Sequence, residues 1–337
     1  MSTETSIIST GPSTGGAQGT SAPPVGVLHR SAAPGRNPGD AVFKYLTLAF
    51  AGVVFLFVFL MAYEMYRGSS LSIEKFGWSF LTGTVWDPVQ EQYGALPFIV
   101  GTLLSSVMAL VVALPLSIGV AIFLAELAPR WLERPLSFMI ELLAAIPSIV
   151  YGLWGVFVLV PFLRTGVEPF LIRKFGSVPF FHGVPFGFGL AAAALILAIM
   201  VIPIITSISR DVLRSIPRAQ REAAYALGAT PWETTRIVLS ASKSGIFGAT
   251  LLGLGRAIGE TMAVTMVIGN RPEIPHSIFD PAYSMASVIA NEFTEATSDM
   301  YISSLIEIAL ILFAVTVVLN GAARLIVWGV TRRFASS

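Results

Sequence analysis

The chain has 337 residues, 54% hydrophobic and 12% charged, with a formal net charge of +1, three histidines and no cysteine. A soluble domain carries about 25% charged residues, so a charge-coated soluble enzyme is excluded, as are disulfides, thiolate metal sites and cysteine nucleophiles. Without a basic field for nucleic acid, what remains is a polytopic protein of the lipid bilayer with one transmembrane domain.

Residues 1–40 stand apart. Ser, Thr, Gly and Pro fill 23 of these 40 positions. Such a segment buries too little apolar surface to offset its ordering entropy. It is expected to be a disordered cytoplasmic tail. It has no apolar stretch of signal-peptide length. Residues 41–337 form the membrane domain.

Six long apolar stretches follow, near Phe43–Tyr66, Phe98–Ala125, Leu136–Phe162, Phe188–Ile208, Ile246–Asn270 and Leu305–Val330. Each reaches the roughly 20 residues that cross a hydrocarbon core. Continuous apolar runs argue for helices over alternating barrel strands. The predicted fold class is all-α, with six transmembrane helices. Lys and Arg orient them. The side of the tail carries fourteen, including Arg130, Arg134, Arg210, Arg214, Arg218 and Arg221. The other side carries six: Arg67, Lys75, Arg164, Arg173, Lys174 and Arg271. Both termini are therefore expected in the cytoplasm.

Residues 67–97 include Trp78, Phe80 and Trp86, which suit an interfacial or partner-facing segment. The aromatic run Pro179-Phe180-Phe181 suits the interface as well. Residues 271–304 hold Glu273, Asp280, Glu292, Glu295 and Asp299 against one Arg. They read as a solvated acidic loop or a docking surface outside the membrane.

Pro115, Pro147, Pro161 and Pro203 fall within or at the ends of predicted spans. Each removes a backbone donor and tends to kink its helix. Glu141 and Glu307 lie near span ends, where a carboxylate snorkels or sits at an interface. The fifth span holds Gly248, Gly253, Gly255 and Gly259, which allow close backbone approach. It also holds Arg256 and Glu260, four apart and so on one helix face. An ionised group near the bilayer midplane costs about 2.5–3.5 kcal/mol, so it persists where it pairs or faces water. The pair reads either as a structural ion pair or as an arginine that sees an anion, placed by its carboxylate. Guanidinium geometry suits a tetrahedral oxyanion.

The cytoplasmic loop, about 209–245, is basic and helix-prone. Residues 218–227 are mostly strong helix formers and stop at Gly228. Thr230, Pro231 and Glu233 then spell an N-cap, a first helical residue and a capping box. The loop reads as helix, glycine turn, helix, a form that inserts into a groove on another protein.

Glu222-Ala223-Ala224 followed at Gly228 resembles the EAA loop of permease subunits of bacterial ABC importers. Ile237-Val238-Leu239-Ser240 departs from the family's Ile-x-Leu-Pro ending. The stretch from Leu142 through Ala145-Ile146-Pro147 to Gly155 looks like the third-span signature of phosphate-importer permeases, the PstC/PstA family. Gly255-Arg256-Ala257-Ile258-Gly259-Glu260-Thr261-Met262 looks like their fifth-span signature. The Leu-Trp-Gly form after Tyr151 and the large first outer loop look more like the PstC type. The resemblance covers residues 43–330. It implies a multi-pass subunit of the bacterial inner membrane, with the type I ABC importer permease fold. It implies a PstA-like permease partner in a heterodimer, two PstB-like ATPase subunits and a PstS-like phosphate-binding protein. In that family the fifth-span Arg and Glu bear on phosphate passage, which assigns Arg256 and Glu260 to the path. The EAA residues meet the ATPases, which assigns Glu222, Ala223, Ala224 and Gly228 to coupling.

The resemblance implies alternating access driven by ATP on the partner subunits. The chain itself has no Walker A pattern, so it is expected to be neither an enzyme nor a holder of a cofactor. Two other readings stay open: an ABC permease for sulfate or molybdate, and a secondary anion carrier. An intramembrane enzyme is disfavoured by the lack of HExxH or GxSxG patterns.

Overall fold

The computed structural model describes residues 38–178 and 180–335. Residues 1–37 of the expected tail and Pro179 lie outside the described residues. Residues 38–40 do not belong to the tail, because the first helix, α1, already starts at Pro38 and runs to Gly68. Its stretch to Phe55 forms a unit of its own, separate from Leu56–Ser337. That stretch is an exposed apolar helix with Val42, Phe43, Tyr45 and Phe50 uncovered.

In the second unit, α2 (Ser70–Phe76) and α3 (Ser79–Thr82) lead to a hairpin of β1 (Trp86–Asp87) and β2 (Gln92–Tyr93). Helix α4 spans Leu96–Ile122 and continues through a π-helical turn to Leu127. Helix α5 (Arg130–Ala145) precedes α6, which runs from Ser148 to Phe175 with two π-helical turns. Helix α7 covers Leu190–Ser215, and the hairpin helices are α8 (Arg218–Ala226) and α9 (Pro231–Ala241). The fifth span is α10 (Lys243–Ile258) and α11 (Met262–Val267). Then come α12 (Met285–Glu292) and α13 (Asp299–Ala335). Among the described residues five helices are long and apolar enough to cross a membrane, and a sixth crossing is supplied if the bent pair α9–α10 counts as one.

Helices α4 and α7 form the centre. Ala109 and Ala113 on α4 meet Ile196, Leu197, Val201 and Ile205 on α7, all fully buried or nearly so. Small residues on one helix admit branched residues of the other, which is how apolar helices gain contact where lipid gives no hydrophobic drive. Ser117 donates to the Ile202 carbonyl (3.3 Å), and Thr206 donates back to the Ser117 carbonyl (3.4 Å). Both helices run on through Pro115 and Pro203 without a break.

The break occurs instead at Pro147. Apolar content places the third span at Leu136–Phe162, but the residues before the proline form the separate amphipathic α5. Its charged face binds neighbouring arginines. The crossing helix starts at Ser148 and absorbs Leu163–Phe175, expected as loop. Arg164, Arg173 and Lys174 therefore lie on its last turns. Ile146 is extended (ψ 128°), as a residue before proline must be. Tyr151 donates across the gap to the Leu143 carbonyl at 2.8 Å. The same spelling, Leu-x-x-Ile-Pro, recurs at Leu213–Pro217 and ends α7. There Arg221, also four residues past the proline, donates to the Leu213 and Ile216 carbonyls at 2.9 and 2.7 Å. The 209–245 loop is thus shorter than its spelling suggests, because Ser209–Ser215 are the final turns of α7.

The outer segments pack on each other. Phe80, Trp86, Tyr93, Phe98, Tyr283 and Tyr301 form one buried cluster. Trp86 Nε1 and the Tyr301 hydroxyl both donate to Glu292 Oε2, at 2.8 and 2.7 Å. Burial pushes the Tyr283 phenol above its ordinary value, so it stays neutral in this cluster. Asp280 accepts from the His276 and Ser277 N–H groups. This corrects the sequence expectation for both loops. Phe80 and Trp86 are buried and Glu292 and Asp280 are half-buried and hydrogen-bonded, while Trp78 stays 85% exposed and Glu273, Glu295 and Asp299 face outward. Phe180 is exposed, but Phe181 packs on Phe175 and Phe279. Glu307 neither snorkels nor reaches an interface. It is buried beside the Ser72–Ser304 pair, with Oε2 unpartnered among the described residues.

Gly101 of α4 faces the backbone of Tyr283, where a Cβ would overlap the carbonyl oxygen. Overpacking of this kind costs about 1–3 kcal/mol. Gly101→Val is expected to lower the melting temperature of the purified protein, and an unchanged melting curve refutes the contact.

Candidate functional site

The sequence singles out two places, and the structure sets them at opposite ends of α10. Arg256 lies about 20 Å along that helix from Lys243. One place is the break in the fifth span. The other is the hairpin of α8 and α9.

The fifth span is not one helix through Asn270. Helix α10 ends at Ile258, Gly259 and Glu260 are non-helical, and α11 begins at Met262. Arg256 and Glu260 nonetheless meet, Nη2 to Oε2 at 3.3 Å. Glu260 Oε1 accepts from the Ala263 N–H, also at 3.3 Å. One carboxylate therefore ties the end of α10 to the start of α11. Its side chain is 5% exposed, whereas that of Arg256 is 46% exposed. The acid is enclosed and the guanidinium is open. Arg256 has no other hydrogen bond among the described residues, so most of its donor fork is free for an oxyanion.

Of the four fifth-span glycines, only Gly253 serves close packing on another helix. A Cβ there would come within 2.7–2.8 Å of Ile205 and Val201. Gly248 has open space, and Gly255 and Gly259 have no tight neighbour. Past α11, Gly269 and Asn270 both have positive φ, 93° and 51°. Asn270 Nδ2 donates to the Thr265 carbonyl at 2.9 Å and closes the helix end.

The hairpin folds as its sequence spells. Thr230 Oγ1 accepts from the Glu233 N–H, and Glu233 Oε2 accepts from the Thr230 N–H at 2.8 Å. Gly228 has φ 83°, a left-handed turn that disfavours any side chain. Glu222 and Ala223 are exposed, while Ala224 is buried at 5% and packs the hairpin from within. Around the turn, Tyr225, Leu227, Trp232 and Ile237 are exposed, Leu227 at 90%. An open groove of about 620 Å³ runs between Leu227, Gly228, Glu233, Arg236 and Ile237. Apolar groups at a solvated tip, beside a groove, are what a docking element presents.

Three ion pairs hold the hairpin's root, and sequence reasoning missed them as a set. Arg221 pairs with Glu126 at 2.7 Å, Arg214 with Glu133, and Arg210 with Glu141 at 3.3 Å. The glutamates fall seven and eight residues apart, Glu126 in the turn that ends α4 and Glu133 and Glu141 on α5. That spacing, set against the run of arginines, was the available signal. Both side chains of the Arg221 pair are mostly buried, at 19% and 11% exposure.

The chain matches the family described as "Binding-protein-dependent transport system inner membrane component" over residues 117–332. A phosphate transport system permease protein PstC of Haemophilus influenzae is 50% identical over 293 residues, 86% of this chain and 93% of that protein. PstC of Mesorhizobium japonicum is 49% identical, covering 85% of this chain and 89% of the relative. PstC of Pasteurella multocida is 48% identical, covering 87% and 93%. A chain from inward-facing conformations of the MetNI methionine ABC transporter superposes with a TM-score of 0.53 at 18% identity. It covers 73% of this chain and 99% of its own, a likeness of fold.

Breaking a buried ion pair by removing one partner costs about 3–5 kcal/mol. Arg221→Ala is expected to open α8 locally and cut amide-exchange protection over residues 218–228 roughly a hundredfold. Exchange at the parent rate removes Arg221 as the anchor.

Proposed function

This chain belongs to the family of binding-protein-dependent transport system inner membrane components, and we propose that it is the PstC-type permease subunit of an ATP-driven phosphate importer. It is a multi-pass membrane protein with an ABC importer permease fold. The observation that carries the reading is the pairing of an open guanidinium, Arg256, with an enclosed carboxylate, Glu260, at a break in a spanning helix. The phosphate named in its relatives favours that anion over sulfate or molybdate.

The proposed assembly has a PstA-like second permease, two PstB-like ATPases and a PstS-like binding protein that delivers phosphate. Both termini and the hairpin lie in the cytoplasm. Glu222, Ala223, Ala224 and Gly228 belong to the element that docks on an ATPase, with Leu227 and Trp232 entering its groove. Closure of the ATPases moves the hairpin, and α10 carries the movement to the break beside Arg256. Alternation of two packings is the class of motion such a rigid connection supports. Arg256 binds the anion through its free donors. Glu260 positions it and keeps the local charge low when the path is empty.

ATPase activity of the complete complex in nanodiscs tests the reading. Binding protein loaded with phosphate is expected to stimulate hydrolysis, and sulfate or molybdate controls are not. Equal stimulation by all three anions overturns phosphate as the substrate. Arg256→Gln is expected to abolish phosphate uptake while the complex still assembles, since an intramembrane guanidinium carries the proposed contact. Uptake near the parent rate removes Arg256 from the path.

A further inference from the structure

Helix α11, about 9 Å long, separates the Arg256–Glu260 pair from a cavity of about 450 Å³ at its far end. Arg164, Phe186, Phe188, Gly269, Asn270 and Pro281 line this cavity. We propose that it is a second oxyanion site, which takes a tetrahedral phosphate at the outer mouth of the path. The proposal rests on the phosphate-import reading and on the orientation given above.

Charge is the first support. Arg164 is exposed and forms no ion pair among the described residues. The acid one turn further along α6, Glu168, is engaged elsewhere. It is 1% exposed, and its Oε2 accepts from the Gly187 N–H at 2.9 Å. No residue lining the cavity is acidic. The guanidinium thus has no ion-pair partner among the described residues, and the stem of Arg164 is packed against Gly187, the residue that Glu168 binds.

Hydrogen-bonding capacity is the second. At the end of α11 four backbone carbonyls are occupied. Val264 accepts from the Ile268 N–H, Thr265 from Asn270 Nδ2, Val267 from the Gly189 N–H and Ile268 from the Ala282 N–H, all at 2.9–3.0 Å. The N–H groups of Gly269 and Asn270 have no acceptor among the described residues. What is left unmatched here among the described residues is a pair of consecutive donors and one buried acceptor, Asn270 Oδ1. The left-handed turn that carries them is fixed by close packing, since a Cβ on Gly269 would lie 2.7 Å from Pro281 Cβ. A guanidinium and two successive amide N–H groups form a donor set for an oxyanion, and the single orphaned amide oxygen suits the P–OH of a protonated phosphate. A second cationic station before Arg256 gives the anion somewhere to rest after release by the binding protein. A lipid headgroup presents the same phosphate chemistry, so the test must separate the two sources.

The chain has no cysteine, so Phe186→Cys places its one thiol on the cavity wall. Phe188→Cys is the second reporter, should the first fail to assemble. In the complete complex, the rates of modification by anionic and cationic methanethiosulfonates are read from the mass of this chain. The anionic reagent is expected to be favoured about tenfold, and Arg164→Gln to abolish that preference. Inorganic phosphate is expected to slow both reagents in nanodiscs of neutral lipid, but only with Arg164 present. Protection that requires anionic lipid assigns the donors to a headgroup and overturns a place on the import path. Absence of a charge preference, or one that survives Arg164→Gln, overturns the site. Stimulation of ATPase by phosphate-loaded binding protein, on the same preparation, reports separately on the import reading. If it fails, that reading falls, whatever the thiol rates show.

Discussion

A backbone carbonyl or amide in apolar surroundings must find a partner, and the fold is arranged around the places where helices stop supplying one. In an unbroken span every group is satisfied within the helix. At each interruption a side chain takes over. Tyr151 serves the carbonyl left at Leu143, and Arg221 those at Leu213 and Ile216. Glu260 serves the Ala263 N–H, and Asn270 the Thr265 carbonyl. The choice of group follows the surroundings. A phenol bridges the first Ile-Pro break, close to the apolar core. A guanidinium, which needs a carboxylate nearby, bridges the second beside Glu126.

The same economy explains why charged residues cluster where they do. Arg210, Arg214 and Arg221 each meet a glutamate from the Glu126–Glu141 stretch, so the root of the hairpin is fixed while its tip is open. At the other end of α10, Glu260 is shut in and Arg256 is exposed. The charged groups are thus divided into those that hold helices and those that face outward.

Much of this was legible in the sequence. The helical class, the capping box at Thr230 and Glu233, the turn at Gly228 and the Arg256–Glu260 pair depend on neighbours within a few residues. What was illegible depends on distant partners. Trp86 and Glu292 are 206 residues apart, and nothing local says that they bond. Read alone, Glu292 belongs to an acidic loop. Residues 136–145 are apolar enough for a span, yet Glu133 and Glu141 are bound by α7, and Pro147 ends the helix. Among the four glycines of the fifth span, Gly253 is the one with Val201 and Ile205 against it within the described residues. Spacing shows that close approach is allowed, not that a neighbour arrives.

The two Ile-Pro breaks have a mechanical consequence. Bending an intact helix strains several backbone hydrogen bonds together. Here the chain is already bent at Pro147 and Pro217, and one long side chain spans each gap. Rotating α8 against α7 exchanges or stretches the bonds of a single guanidinium, each worth about 1.5–3 kcal/mol, and leaves both ladders whole. The joint is therefore a hinge with a tether, whose stiffness is set by one residue. Tyr151, with a single neutral bond, makes the softer of the two joints; Arg221, with two carbonyls and a carboxylate, makes the stiffer.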